Sequence, residues 1–411
     1  MRECGVGVIG TGRVGLVVGA CPSNQGHALG FRYRGVGRGY AGTEAAPSSP
    51  AMAAGRCRTW STETAFLVGS AITLADRERR LARPTGAQPA PSVFTVLLNW
   101  NGWRDTLECV RSHRKVSYPN LSIVIVDNGS SGDDVAILRR ELGDACEVIE
   151  NGRNDGYCEG NNVGIRYALS RGPDYVLVLN NDTVLDPDFL SHLVTAAEAD
   201  PKVGVAVPSI YLYDDPETVA YPRPIDRWPL MAHVHLGVFF QFLKPKELSG
   251  PATVRLLDGC CFLVKREVLE TTGLFDPDYF FAGGSGDLGK LAMDGGFKMI
   301  AVPRAKIWAK VARSFGDRRQ GALAYAYWGP RSEILFVRKH LAWPHLVLWG
   351  ALLPLRIAVW LIAYGRGVRT FAVLPPLARG IWDGFRLRIA HRPTRQDGSL
   401  SADHLRSPWR R

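Results

Sequence analysis

Three short apolar runs, each stopped by small polar residues, constrain this chain more than anything else in it. Val93-Phe94-Thr95-Val96-Leu97-Leu98 ends at Asn99-Trp100-Asn101-Gly102, Leu121 to Val126 ends at Asp127-Asn128-Gly129-Ser130-Ser131, and Tyr175 to Leu179 ends at Asn180-Asn181-Asp182. The runs are rich in Val, Ile and Leu and do not alternate, which is the pattern of strands buried on both faces. Each is followed by a helix-compatible segment, so the expected fold class is α/β with a mostly parallel sheet. In open sheets of that kind ligands bind beyond the carboxyl ends of the strands. Three tips of Asn and Asp make a site for a polar, anionic ligand.

The chain is too long, at 411 residues, for one ordinary core, so more than one region is expected. Its formal charge of +11 is unevenly spread. Residues 1–90 hold 11 basic and 5 acidic side chains and residues 331–411 hold 14 and 4, which leaves 25 and 30 in the middle. A nucleic-acid binder would carry its basic stripe on the folded domain itself, so no nucleic-acid partner is expected. Basic ends beside apolar segments suit an anionic membrane surface better. None of the eight cysteines forms a CxxC pair or a zinc-type cluster, and reduced, buried thiols are expected. The first thirty residues show no signal peptide, because Gly and Arg break the apolar stretch.

Those thirty residues contain Val6-Gly7-Val8-Ile9-Gly10-Thr11-Gly12-Arg13-Val14-Gly15, a strand followed by GxGxxG. With Leu16 to Ala20 and Gly26-His27 the stretch resembles the start of nucleotide-sugar 6-dehydrogenases. A dinucleotide site also needs a second strand carrying an acidic residue. The chain instead enters an Arg/Gly run and an Ala/Pro/Ser segment, so residues 1–30 read as a truncated βα fragment without cofactor binding. Residues 31–92 read as linker with a short helix at 64–83.

From Val93 the motifs become specific. Leu98-Asn99-Trp100-Asn101-Gly102, Val126-Asp127-Asn128-Gly129-Ser130, Asn154-Asp155-Gly156-Tyr157 with Gly160-Asn161-Asn162, and Leu179-Asn180-Asn181-Asp182-Thr183 together resemble family 2 glycosyltransferases, in their rhamnosyltransferase-like branch. The resemblance covers roughly residues 93–340. It implies a GT-A fold at 93–330 and a single inverting displacement. The implied donor is a UDP- or dTDP-sugar, and the implied acceptor a saccharide or lipid-linked sugar in cell-surface polysaccharide synthesis.

Asp127, at a strand tip, is placed to accept hydrogen bonds from a base or ribose, as its counterpart in similar enzymes does; a capping role for the next helix is the plainer alternative. Asn99, Asn101, Asn128 and Asn161 are counted with it as nucleotide-binding, although Asn-x-Asn-Gly is also an ordinary turn signal. Asp182 stands where related enzymes carry DxD and is the expected ligand of Mg²⁺ or Mn²⁺, which takes one or two carboxylates and leaves room for phosphate oxygens. Asp186-Pro187-Asp188 reads as a helix-starting turn. Gly156 to Asn162 reads as a loop opening a helix at Val163, with Asp155 and Glu159 as acidic departures from the family pattern. Asp258 reads equally as a sugar contact or a turn former.

An inverting transfer needs a carboxylate near the acceptor hydroxyl to take its proton. The family supplies a Glu-Asp pair just after an aromatic run, followed by a further Asp and an Arg. Here Phe280-Phe281 leads into Ala282-Gly283-Gly284-Ser285-Gly286-Asp287-Leu288-Gly289-Lys290-Leu291. The pair is Gly284-Ser285, Leu291 replaces the Arg, and Asp287 survives. The expectation is therefore Asp287 on a glycine-flexible loop as catalytic base, with Asp294 behind it. The alternative is a non-catalytic nucleotide-sugar-binding relative acting as an assembly partner.

Leu346 to Tyr364 is almost continuously apolar but contains Pro354 and Arg356. A central arginine costs about 2.5–3.5 kcal/mol on insertion scales, so a kinked interfacial helix or hairpin is expected rather than a span. Arg331, Arg338 and Lys339 before it, and Arg366, Arg369, Arg379, Arg386 and Arg388 after it, suit the cytoplasmic face of the cell membrane. A helical membrane-associating region is thus expected over 331–391, followed by a basic tail at 392–411.

Overall fold

The structure, a computed structural model, describes residues 89–222, 248–310, 318–365 and 370–387. The glycine fingerprint at 1–30, the linker and short helix expected before residue 89, and the basic tail lie outside them. The described residues from Pro91 onward belong to one compact unit.

The three apolar runs are strands β1 (Val93–Asn99), β2 (Leu121–Asp127) and β4 (Tyr175–Asn180), joined by a shorter β3 (Glu147–Glu150). Helices α1 (Trp103–His113), α2 (Asp134–Leu142) and α3 (Gly156–Ser170) alternate with them. β1 pairs in parallel with β2 and with β4, and β2 with β3. Val96, Val124, Ile125 and Leu177 are fully removed from water, because helices cover parallel strands on both faces; this is why the runs do not alternate. α3 already begins at Gly156, so the expected loop there is the first two turns of a helix.

The second half departs from the parallel expectation. β9 (Cys261–Lys265) inserts antiparallel between β4 and β6 (Val203–Leu212). β10 (Lys298–Ala309) lies parallel to β6, and β5 (Thr183–Leu185) closes antiparallel on β10. The order is β3-β2-β1-β4-β9-β6-β10-β5, with β7 (Val219–Tyr221) on β6 and β8 (Ala252–Thr253) on β10. The sheet is mixed, not mostly parallel: a strand such as β9, buried along its length, is apolar whichever way it runs. α4 (Phe189–Glu198) follows β5, with Asp186 and Asp188 in the expected turn. α5 (Arg266–Thr272) and α6 (Gly284–Asp294) lie between β9 and β10.

The chain ends in α7 (Arg318–His340), α8 (Trp343–Ala351), α9 (Leu353–Gly365) and α10 (Thr370–Arg386). The boundary expected at residue 330 falls inside α7. Ile334, Val337, Trp349, Val359, Trp360 and Leu377 form a small core of their own. α8 and α9 meet at a 58° bend, and no single helix among the described residues is long and apolar enough to cross a membrane. Arg331, Arg338 and Lys339 do not face outward as expected. Arg331 donates to the Asp278 carbonyl, Arg338 to the carbonyls of Gly384 and Leu387, and Lys339 to the Asp276 carboxylate.

Candidate active site

Strand register aligns the polar tips. Asn99 is opposite Asp127, and Leu98 is opposite Asn180. A line of buried hydrogen bonds then crosses the sheet edge. Asn181 Nδ2 donates to Thr106 Oγ1 (2.8 Å), Thr106 Oγ1 donates to Asn99 Oδ1 (2.7 Å), and Asn99 Nδ2 donates to Asp127 Oδ2 (2.7 Å). The three tips are thereby fixed relative to one another before any ligand arrives. Thr106, in the first turn of α1, escaped the sequence reading. Its signal was the need of a buried Asn99 amide for a hydroxyl within reach, seven residues on.

Asp127 also accepts from Ser130 N (3.0 Å) and Ser130 Oγ (2.6 Å). It shapes the turn after β2 and does not cap α2, whose N-cap position is Asp133. A carboxylate offers about four acceptor positions, so this one retains capacity on Oδ1. Asn99 does not: its amide hydrogens are directed at Asp127, Asp134 and Ser130. Asn101 takes φ +52° and holds the neighbouring turn, its Oδ1 accepting from Ser131 N (2.8 Å) and Oγ (3.1 Å). Gly129 is required between them: at φ +74° a Cβ would stand 2.5 Å from the Arg153 backbone.

Asn128 corrects the expectation most sharply. Its Nδ2 donates to Asn154 Oδ1 and the Gly156 carbonyl, and its Oδ1 accepts from Asn151 Nδ2 and Asp155 N. All four positions of the amide are filled, so Asn128 braces the start of α3 and offers nothing to a nucleotide. Of the two acidic departures from the family pattern, Asp155 pairs with Arg153 (2.7 Å) and Glu159 with Arg166 (2.6 Å). Asn161 donates to the Tyr157 carbonyl, while its Oδ1 is buried without a hydrogen-bond partner.

Asp182 is 9% exposed, just past the tip of β4. Its carbonyl accepts from Lys310 N (2.9 Å). The Lys310 ammonium is bound by Asp105 and Glu108, both at 2.6 Å; burial disfavours its charge, but the two carboxylates outweigh burial and raise its pKa. Lys310 too was missed, lying about 200 residues from its partners. Asn180 Oδ1 is buried without a hydrogen-bond partner. Among the described residues no group of three or more His, Cys, Asp or Glu is gathered to hold a metal. One carboxylate and amide oxygens suit a hard cation that arrives with phosphate ligands rather than a resident structural metal. Asp258 forms a turn, its Oδ1 accepting from Cys260 N (2.8 Å).

Asp287 is not on a flexible loop. It lies in the first turn of α6, 1% exposed. Its Oδ1 accepts from His340 Nε2 (2.7 Å), Lys339 Nζ (2.8 Å) and Tyr279 OH (3.4 Å). Burial alone would raise its pKa, yet the His340 bond and the Lys339 charge hold it below the usual carboxylate value. That direction is wrong for a general base, which works best near the ambient pH. Asp294, the second candidate, is ion-paired with Lys290 at the far end of the helix. A Cβ at Gly284 would overlap the Cys158 sulfur. The thiol therefore occupies the room a carboxylate-bearing side chain would need. Lys339 and His340 were not foreseen as site residues, although a lone acid in a run of small residues asks for a cation from elsewhere.

Sheet and strand-tip site together make an α/β domain with a mixed sheet. Residues 92–273 match the model of glycosyl transferase family 2; the chain carries a family 2 glycosyltransferase domain and is a glycosyltransferase. It is similar to an N-acetylglucosaminyl-diphospho-decaprenol L-rhamnosyltransferase of Mycobacterium tuberculosis, 29% identical over 259 residues that cover 57% of this chain and 78% of the relative. A dTDP-rhamnosyl transferase of Shigella flexneri is 23% identical over 46% of this chain and 59% of its own. Among solved structures, a Pyrobaculum calidifontis mannosyltransferase in complex with GDP-Man and Mn²⁺ has a TM-score of 0.42 at 20% identity, over 77% of this chain and 83% of that one.

Proposed function

We propose that this glycosyltransferase moves a sugar from a UDP- or dTDP-sugar to a saccharide or lipid-linked acceptor in cell-surface polysaccharide synthesis, with inversion at the anomeric carbon. The observation that carries the reading is the buried hydrogen-bond line Asn181–Thr106–Asn99–Asp127, which holds Asp127 at one end and Asn181, next to Asp182 in the chain, at the other. Asp127 Oδ1 serves as an acceptor for base or ribose, and the Asn101–Ser131 turn walls the same pocket. Asp182, with the donor's phosphates, would hold Mg²⁺ or Mn²⁺, which when bound neutralises charge on the departing diphosphate. The names of the two relatives support this choice of chemistry: one is a transferase acting at a diphospho-decaprenol-linked sugar, the other a dTDP-rhamnosyl transferase. Asp287 acts in this reading as a positioning residue that fixes the first turn of α6 from within.

A second reading, donor binding without transfer, draws on the absence of a carboxylate at Gly284 and Ser285 and on the inward engagement of Asp287. The test is release of nucleoside diphosphate from UDP- and dTDP-sugars by the full chain, with Mn²⁺ or Mg²⁺ and a lipid-linked saccharide present. Release that needs the cation and falls at least about 100-fold in Asp182→Ala supports transfer. Cation-dependent nucleotide binding with no release supports the second reading, and neither binding nor release overturns both.

A further inference from the structure

The large hydrophobic side chains found exposed among the described residues all lie in one part of the molecule. They are Trp343 (75% exposed), Val347 and Leu348 on α8, Leu355 and Ile362 on α9, and Phe371 (82%), Leu374, Trp382 (61%) and Phe385 on α10. Soluble surfaces rarely gather so much apolar area without a partner. The inner sides of the same helices are already committed. Val373 and Leu377 are buried, and at Gly380 and Gly384 the α10 backbone comes so close to α7 that a Cβ would meet Tyr327 or Arg331. What faces outward is therefore a second apolar side, left over after the helices have packed.

Charge selects the occupant. Between residues 343 and 387 the chain has one acidic residue, Asp383, against five arginines at 356, 366, 369, 379 and 386. Asp383 accepts from Tyr327 OH (2.8 Å) and lies 3.7 Å from Arg379 one turn away, which leaves the described part of this face with a net positive charge. Arg356, which argued against a membrane span, is 1% exposed: it pairs with Glu333 and lies over the Trp349 ring. The outer side of α9 thus carries no charge from it. Arg379 and Arg386 stay exposed on α10, with Arg386 over the Trp382 ring. Two copies of so basic a face would repel one another. Tryptophan, phenylalanine and arginine together on amphipathic helices match the boundary between headgroups and acyl chains.

We propose that the outer sides of α8, α9 and α10 form a docking surface for an anionic lipid bilayer, on which the enzyme lies without crossing. α8 and α9 rise about 14 and 20 Å at 1.5 Å per residue, against a hydrocarbon core of about 30 Å, and they bend by 58° between them. The anionic leaflet of a cell is the cytoplasmic one, which fits a lipid-linked acceptor, but the docking surface stands whether or not transfer occurs.

The experiment is sedimentation of the full chain with vesicles of phosphatidylcholine containing phosphatidylglycerol, and with phosphatidylcholine alone. Binding is expected to the anionic vesicles and to weaken as salt is raised. Phe371→Ser with Trp382→Ser is expected to reduce it at least about 10-fold, while Arg379→Gln with Arg386→Gln flattens the salt dependence. Both pairs are exposed, and unchanged circular dichroism and melting temperature would show them folded. Equal binding to neutral and anionic vesicles, or anionic binding untouched by either pair, overturns the proposal. So does a dimer abolished by Phe371→Ser with no vesicle binding, which would make a second copy the occupant.

Discussion

The edge of the parallel strands and the first turn of α6 face opposite problems. At the strand edge, polar side chains are abundant and tie one another down: Asn99 and Thr106 use hydrogen bonds to hold Asp127 and Asn181, the neighbour of Asp182, at fixed stations. At α6, polar side chains are scarce. Gly284, Ser285 and Gly286 supply almost nothing, and the one acid, Asp287, is gripped from outside by Lys339 and His340. One region is ordered by its own neighbours, the other by a helix more than fifty residues further on. A site can thus be pre-organised from within or by an external clamp, and the two respond differently to damage.

The largest effect is expected where the clamp is cut. Asp287→Ala strips His340 of its carboxylate and leaves Lys339 with Asp276 alone, and removing one partner of a buried pair costs about 3–5 kcal/mol; a large fall in urea midpoint should appear. A melting curve within a degree of the parent would mean that the clamp has no structural role. Next comes acidification of the strand-edge half. Burial drives the His113 pKa down to about 4 from 6.5, and His113 Nε2 lies 2.8 Å from Thr95 Oγ1. The unfolded chain then takes a proton between pH 6.5 and 4 that the folded chain refuses, so stability is lost as pH falls through that window. The loss amounts to about 3 kcal/mol and should be absent from the pH profile of His113→Gln.

A smaller effect separates the two regions by packing. Gly284→Glu must displace the Cys158 sulfur, and overpacking costs about 1–3 kcal/mol. Cys158→Ala should recover most of it in a double-mutant cycle, since contacting residues couple; additivity would show that the thiol is not the obstacle. Smallest is Thr106→Val, which cuts the line between Asn99 and Asn181 at a cost of about 1–2 kcal/mol. Its mark should be weaker nucleotide binding with the melting temperature only slightly lowered.

The strands and their tips were legible because burial on both faces leaves a plain signature in Val, Ile and Leu, and the polar stops that follow are local. Direction was not legible. β9 carries the same apolar signature as β4, and only its pairing reveals that it runs the other way. The glycines at 156 and 160 suggested a loop, yet Gly156 is there because at φ +80° any side chain would strike the Phe280 carbonyl, and the helix begins at once. The residues missed in the site, Thr106, Lys310, Lys339 and His340, share one property: each gains its role from a partner on another element. Lys339 was read as a charge for lipid, when its side chain is 9% exposed and its ammonium faces two carboxylates.

The stretch that matches the glycosyl transferase family ends at residue 273, whereas the grip on α6 is applied at residues 339 and 340. The smallest autonomous version of this enzyme must therefore run past His340, and a fragment trimmed to the family boundary would lose α6 and the partners that anchor it. α7 packs against α10 and holds α6 through Lys339 and His340 at its end, so one helix supports both the surface helices and the first turn of α6.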